Sequence, residues 1–177
     1  MSKVSFTFAS LALLFLITAC THKPMIQHTS SPQDKIWQRF DGKLLVIEPT
    51  RRWQVLIHWE ADLTQGKTRL THIATSRIIE LKWNHKHTYI RDNQTQHGQW
   101  REINHDVLMQ YGIVLPPQML SKILHNQIPS SLQTKDHEMW QGKLYGNSIR
   151  LSWKHNRHQL IITDISHGRT AILRIQP

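Results

Sequence analysis

The chain has 177 residues and one cysteine, with 22 Lys and Arg against 12 Asp and Glu, a formal net charge of +10. That length suits a single domain whose core can stand without covalent staples, and one cysteine excludes an intrachain disulfide. The positive surplus points to an anionic partner (a nucleic acid, an anionic lipid surface or an acidic protein) or serves solubility alone.

The first pattern in chain order is a targeting signal. Lys3 precedes an apolar stretch at 4–17, which the run Ile17-Thr18-Ala19-Cys20 closes. These are a charged n-region, an h-region and a small-residue cleavage site. A membrane-spanning helix needs roughly 20 apolar residues, and here the chain turns polar at Thr18. A cysteine directly after small residues resembles a bacterial lipobox, the signal for thioether lipidation and cleavage before that residue. The expectation is a signal peptide over 1–19 and a lipidated mature N-terminus at Cys20. A tether of Thr, His, Ser, Gln and Pro follows over 20–33. Each buried methylene of such an anchor contributes ~0.8 kcal/mol, so several chains together hold firmly. In such signals an Asp after the cysteine retains the protein in the inner membrane. Thr21 stands there instead, which implies the outer membrane, facing the periplasm, where nucleic acid is excluded as a partner.

From residue 34 a domain extends to 177. Ile36, Trp37 and Phe40 mark a short amphipathic helix or an extended lead-in, and Asp41-Gly42 reads as a turn. Residues 43–47 form an apolar run. Trp53, Val55, Ile57 and Trp59 then alternate with polar neighbours, the period of a strand. Gln65-Gly66 is a turn, 67–71 and 78–83 are strands, 87–91 is another, and Asp92-Asn93 turns the chain. Asn104 is a candidate N-cap for a helix through Tyr111 that Gly112 ends. Pro116-Pro117 opens a second helix carrying Met119, Leu120, Ile123 and Leu124, and Ile128-Pro129 stops it. Alternation returns at Ile149, Leu151 and Trp153. Turns at 155–157 and 166–168 then bound strands at 158–164 and 169–175. Hairpin-spaced strands argue an antiparallel sheet or barrel. Two helices inserted in its middle bury their apolar faces most economically on the concave side.

Catalytic patterns are missing. The carboxylates are scattered, with no pair at acid/base spacing, no Gly-rich phosphate loop and no nucleophile elbow. Thirteen histidines raise the question of a metal, but His85/His87 and His155/His158 lack a nearby Cys or a third ligand. No cofactor and no metal are expected. Seven tryptophans are the stronger signal. Each alone reads as core packing; together Trp53, Trp59, Trp83 and Trp153 could line a wide apolar cavity.

Three local patterns resemble the LolB family of outer-membrane lipoprotein receptors. They are W-Q-R-F-D-G-K-L at 37–44, the aromatic strand from Trp53 to Trp59, and G-I-V-L-P-P-Q-M-L-S-K-I-L-H-N-Q-I-P at 112–129. The resemblance implies an incomplete antiparallel β-barrel with short helices on its concave side, and a monomer. Its apolar cavity would take acyl chains of cargo lipoproteins delivered by a LolA-like periplasmic carrier. Trp53, Val55, Ile57, Trp59, Leu120 and Leu124 are the candidate cavity residues. The family's membrane-insertion loop carries Pro-Leu-Gly with a protruding Leu. This chain has His72-Ile73-Ala74-Thr75 there, so Ile73 supplies the apolar tip. The segment after Trp140 is shorter than in the family, and the frequent C-terminal Trp is absent.

Two other classes remain open at this stage. One is a structural or assembly envelope lipoprotein that holds an acidic partner and transfers no lipid chain. The other is an envelope hydrolase, for which no catalytic constellation is present. The first consequence to check is lipidation: mass spectrometry of the mature N-terminus should find a diacylglyceryl Cys20, and Cys20→Ala should leave an uncleaved or soluble chain. An unmodified Cys20, or cleavage elsewhere, contradicts it.

Overall fold

A computed structural model describes residues 37–95 and 98–176. The expected signal peptide, Cys20 and the tether lie outside the described residues. Alternating apolar positions build strands β1 (Arg39–Ile47), β2 (Arg52–Ala61), β3 (Gly66–His72), β4 (Arg77–Trp83), β5 (Thr88–Asp92) and β6 (Arg101–Ile103). Helices α1 (His105–Gln110) and α2 (Pro117–Leu124) follow. The chain ends in β7 (Leu132–Asp136), β8 (Met139–Leu144), β9 (Asn147–Lys154), β10 (Gln159–Asp164) and β11 (Arg169–Gln176). Among the described residues no helix is long and apolar enough to cross a membrane.

All eleven strands join one antiparallel sheet in the order β6-β5-β4-β3-β2-β1-β11-β10-β9-β8-β7. Two meanders, β1–β6 and β7–β11, meet where β1 pairs with β11, from Asp41 opposite Gln176 to Ile47 opposite Thr170. The sheet curls but stays open between its edges β6 and β7. The chain crosses from one edge to the other through α1 and α2. This is the incomplete barrel expected from the sequence.

Period-two alternation puts one side chain in two on the inner face. The registers align these into rows across strands. Trp53, Val46, Ala171, Ile162, Leu151 and Trp140 form one row. Ile90, Leu81, Thr68, Trp59 and Phe40 form another. The helices cover this face with Leu108, Ile123 and Leu124, and the segment between them adds Val114 and Leu115. Asn104 caps α1, its side-chain oxygen accepting the Val107 N–H at 3.1 Å, and Gly112 follows with φ +75°. Pro117 occupies the first turn of α2. Ser121 Oγ donates to the Asp62 carbonyl at 2.5 Å, and Gln118 Nε2 donates to Thr88 Oγ1 at 2.8 Å. These bonds hold α2 across the lower end of the sheet, where the β2–β3 and β4–β5 turns lie.

Some elements differ from the sequence reading. Asp41-Gly42 is no turn: both residues lie inside β1. Gly42 is needed for close approach, since a Cβ there would meet the Arg174 carbonyl oxygen at 2.5 Å. Of the two alternatives for the lead-in, the described residues from Trp37 on follow the extended one and run into β1. Strands β6, β7 and β8 have no counterpart in the periodicity; β6 has three residues and β7 buries only Leu132.

Gly42→Ala should therefore loosen the β1–β11 seam. Urea unfolding is expected to show a loss of about 1–3 kcal/mol, the usual cost of overpacking; an unchanged midpoint would refute the seam's tightness.

Candidate functional site

The sheet has two unlike ends. At the lower end aromatic rings fill the interior. Phe40 stacks on Trp59 at 6.0 Å between centroids, Trp59 meets Trp83 at 4.9 Å, and Trp37 sets its edge to Phe40 at 6.3 Å. Such contacts add about 0.5–1.5 kcal/mol per pair beyond area burial. Trp59 is 1 % exposed and Leu124 is fully enclosed. The Leu124 carbonyl accepts the Trp37 N–H at 3.2 Å. Trp59 Nε1 has no acceptor among the described residues.

The upper end carries the β1–β2, β3–β4, β8–β9 and β10–β11 turns. A cleft of about 590 Å³ opens there between α1 and strands β2–β4. Its apolar wall is Trp53, Val55, Ile79, Val107 and Tyr111, and its polar rim holds Arg51, Arg52, Arg77 and Arg101. Gly112 lets the chain pass over Trp53, where a Cβ would stand 2.6 Å from the indole ring. Of the six candidate cavity residues, Trp53 and Val55 thus line this cleft. Ile57, Trp59 and Leu124 sit in the packed interior, and Leu120 is half-buried on α2. A larger cleft at the lower end, about 940 Å³, is lined by Gln38, Glu60, Lys67, Lys82 and Trp83 among others. Its rim includes an Arg39–Glu60–Lys67 ion cluster.

Buried carboxylates stand behind the upper rim. Asp92 is 3 % exposed and takes Arg77 Nη2 at 2.6 Å and the Gln94 N–H at 3.0 Å. Burial alone would raise its pKa, but the bonds from Arg77 and Gln94 prevail and lower it. Glu48 is bonded by Arg51 through Oε2, which is the main cause of its lowered pKa, and Arg169 Nε lies 3.7 Å from its Oε1. Arg77 also lies over the Tyr111 ring, and Arg101 donates to the Tyr111 hydroxyl at 2.6 Å. Arg52 has no ion-pair partner among the described residues. Among the described residues, four guanidiniums and no carboxylate line the cleft.

Ile73 stands at the tip of the β3–β4 hairpin and is 66 % exposed, with residues 74–76 exposed beside it. The turn closes without glycine because Ser76 takes φ +53°. Asn93 braces it: its side-chain oxygen accepts the Ile78 N–H at 2.8 Å and its amide donates to the Ser76 carbonyl at 3.1 Å. His72 and Thr75, which flank the tip, also line the cleft. The arginine rim is not visible in the sequence because Arg52, Arg77 and Arg101 open three separate strands, β2, β4 and β6; the adjacent Arg51-Arg52-Trp53 was the one local signal. Among the described residues no group of three His, Cys, Asp or Glu is placed to hold a metal.

No family model matches the chain, and no curated protein matches it. Among solved structures it is similar to a LolA superfamily protein from Nitrosomonas europaea, at 8% sequence identity and a TM-score of 0.42. That likeness covers 82% of this chain and 88% of the other.

The lowered pKa values of Glu48 and Asp92 set a direction for stability against pH. A carboxylate depressed in the folded state contributes above its unfolded pKa of about 4, and the contribution is lost as pH falls through the folded value. Urea midpoints should hold above about pH 5 and drop as pH falls below it through the depressed folded values. Arg77→Gln should cost about 1–3 kcal/mol near neutrality, because it leaves Asp92 buried and unpaired. Arg77 is itself 39 % exposed, which keeps the figure modest. The variant should also flatten the acid dependence; an unchanged slope would show that Asp92 contributes nothing.

Proposed function

We propose that the chain is an outer-membrane lipoprotein that accepts acylated lipoproteins from a LolA-like periplasmic carrier and inserts them into the outer-membrane bilayer. The observation that carries this reading is the open sheet. Its inner face is apolar along whole rows, and among the described residues its unclosed side is spanned by two short helices and their connections. The upper cleft falls within the ~300–1,000 Å³ range of small-ligand pockets. Acyl chains enter beside Trp53 and Val55, and α1, with Leu108 as its one buried residue, yields to admit them. The packed lower half, with Ile57, Trp59 and Leu124, is the apolar surface that such an opening extends into.

In this reading the chain is a receptor and not an enzyme. Transfer runs downhill in affinity, where ~1.4 kcal/mol shifts the partition tenfold. Delivery ends at the Ile73 hairpin, which partitions into the bilayer.

A second reading, a structural or assembly lipoprotein gripping an acidic partner, is favoured by the outer face of β3–β5. There Arg69 and Arg91 hold Glu80, while Lys82 and Arg91 lie over Trp100 at 4.5 and 4.9 Å. A purified transfer assay with loaded carrier and vesicles separates the two. The full lipidated chain should drain the carrier without nucleotide; failure to accept cargo would favour the second reading. Ile73→Glu should leave acceptance intact and slow delivery to vesicles several-fold. Equal delivery by variant and wild type would remove the hairpin from the mechanism.

A further inference from the structure

The acyl end of a cargo lipoprotein is a neutral diacylglyceryl group, so the four guanidiniums around the upper cleft have nothing to pair with on it. Their chemistry suits phosphate, which arginine binds through parallel charge-assisted N–H bonds. Arg51 and Arg77 are already oriented by Glu48 and Asp92. Arg52 and Arg101 are exposed and make no ion pair with a carboxylate among the described residues; Arg101 donates to the Tyr111 hydroxyl and acts on Asp92 only at longer range. Below this rim the wall turns apolar at Trp53, Val55 and Ile79. A cationic rim over an apolar wall matches an amphiphile with a phosphate head.

The surroundings of the cleft identify where that amphiphile sits. By strand register, the β3–β4, β8–β9 and β10–β11 turns all lie at the upper end. They carry Ile73, Tyr145 and Ile165, which are among the exposed large apolar side chains. Scattered exposed apolar residues are ordinary, but here three turn tips share one end with the arginines. Apolar tips beside cations are the pattern of a surface that rests on an anionic bilayer.

We infer that the upper cleft binds the phosphate headgroup of an anionic glycerophospholipid in the bilayer. Arg52 and Arg101 are the freest ligands, and the Ile73, Tyr145 and Ile165 tips lie in the headgroup layer. The mouth that releases acyl chains is thereby held against the membrane that receives them. This role rests on the transfer reading, but its test uses no carrier and no cargo, so either can fail alone.

The test is calorimetric titration of the full chain, held in neutral-detergent micelles, with dihexanoyl phosphatidylglycerol. Dihexanoylglycerol, which lacks the phosphate, and inorganic phosphate are the comparison probes. The variant Arg52→Gln/Arg101→Gln is set against Lys43→Gln/Arg174→Gln, which removes the same charge from a paired, exposed site on the outer face. The phospholipid should bind the double cleft variant at least about tenfold more weakly than wild type, with Arg52→Gln alone intermediate. The outer-face variant should stay within about twofold, and both comparison probes should bind at least about tenfold more weakly. Equal losses in the two double variants would reduce the effect to bulk charge and overturn the site. Full binding of dihexanoylglycerol would overturn the phosphate role. Inorganic phosphate binding as tightly as the lipid would make this a free-anion site and overturn the membrane assignment.

Discussion

The pairing of β1 with β11 is the constraint on which the rest depends. Every other strand pair in the sheet joins neighbours in sequence, which hairpin turns bring together locally. This pair alone closes a loop over most of the domain, so it carries the main entropic cost of the topology. Without it there would be two separate meanders, each with an exposed apolar face. With it, inner-face rows run unbroken from one meander into the other. The backbone at Gly42 approaches Arg174 so closely that no side chain fits. The open gap is the complement of this seam: because β1 and β11 lie at the centre, β6 and β7 become edges, and the helical crossover must span them.

That crossover gives the molecule its polarity. The second helix is tied to two lower turns and to Trp37 by hydrogen bonds, over an aromatic stack. The first is short, buries one side chain and stands beside a cleft. Its other ties are few: His105 stacks on Tyr145 at 4.9 Å between ring centroids, the Met109 carbonyl accepts Arg169 Nη1 at 3.4 Å, and the Tyr111 hydroxyl meets Arg101. Opening free energies within one fold scale with such local attachments. The upper half is thus the less anchored part, and it is the half where the arginines and apolar turn tips gather.

Much of this was legible in the chain. Strict alternation at Trp53 to Trp59 and at Ile149 to Trp153 reported strands with one buried face. Asn104, Gly112 and Pro117 marked helix ends by mechanisms that act locally. The failures are equally physical. Asp41-Gly42 has the composition of a turn, yet the glycine answers to a strand more than 130 positions away, which no local pattern reports. In β8 Trp140 and Gly142 are only half-buried, so its alternation is blurred. For the candidate site, the alternating tryptophans marked the inner face correctly but not which end was packed. The arginine rim existed in the sequence only as net charge, because topology, not spacing, assembles it.

Transfer in this fold requires that the α1 half of the crossover open while the seam holds. Amide hydrogen exchange of the full chain in neutral-lipid nanodiscs, with and without palmitate, reads both parts at once. Residues 104–116 should exchange through local opening, well before β1 and β11, and palmitate should slow their exchange while leaving the seam unchanged. Exchange of the crossover at the rate of the seam, indifferent to the fatty acid, would contradict it.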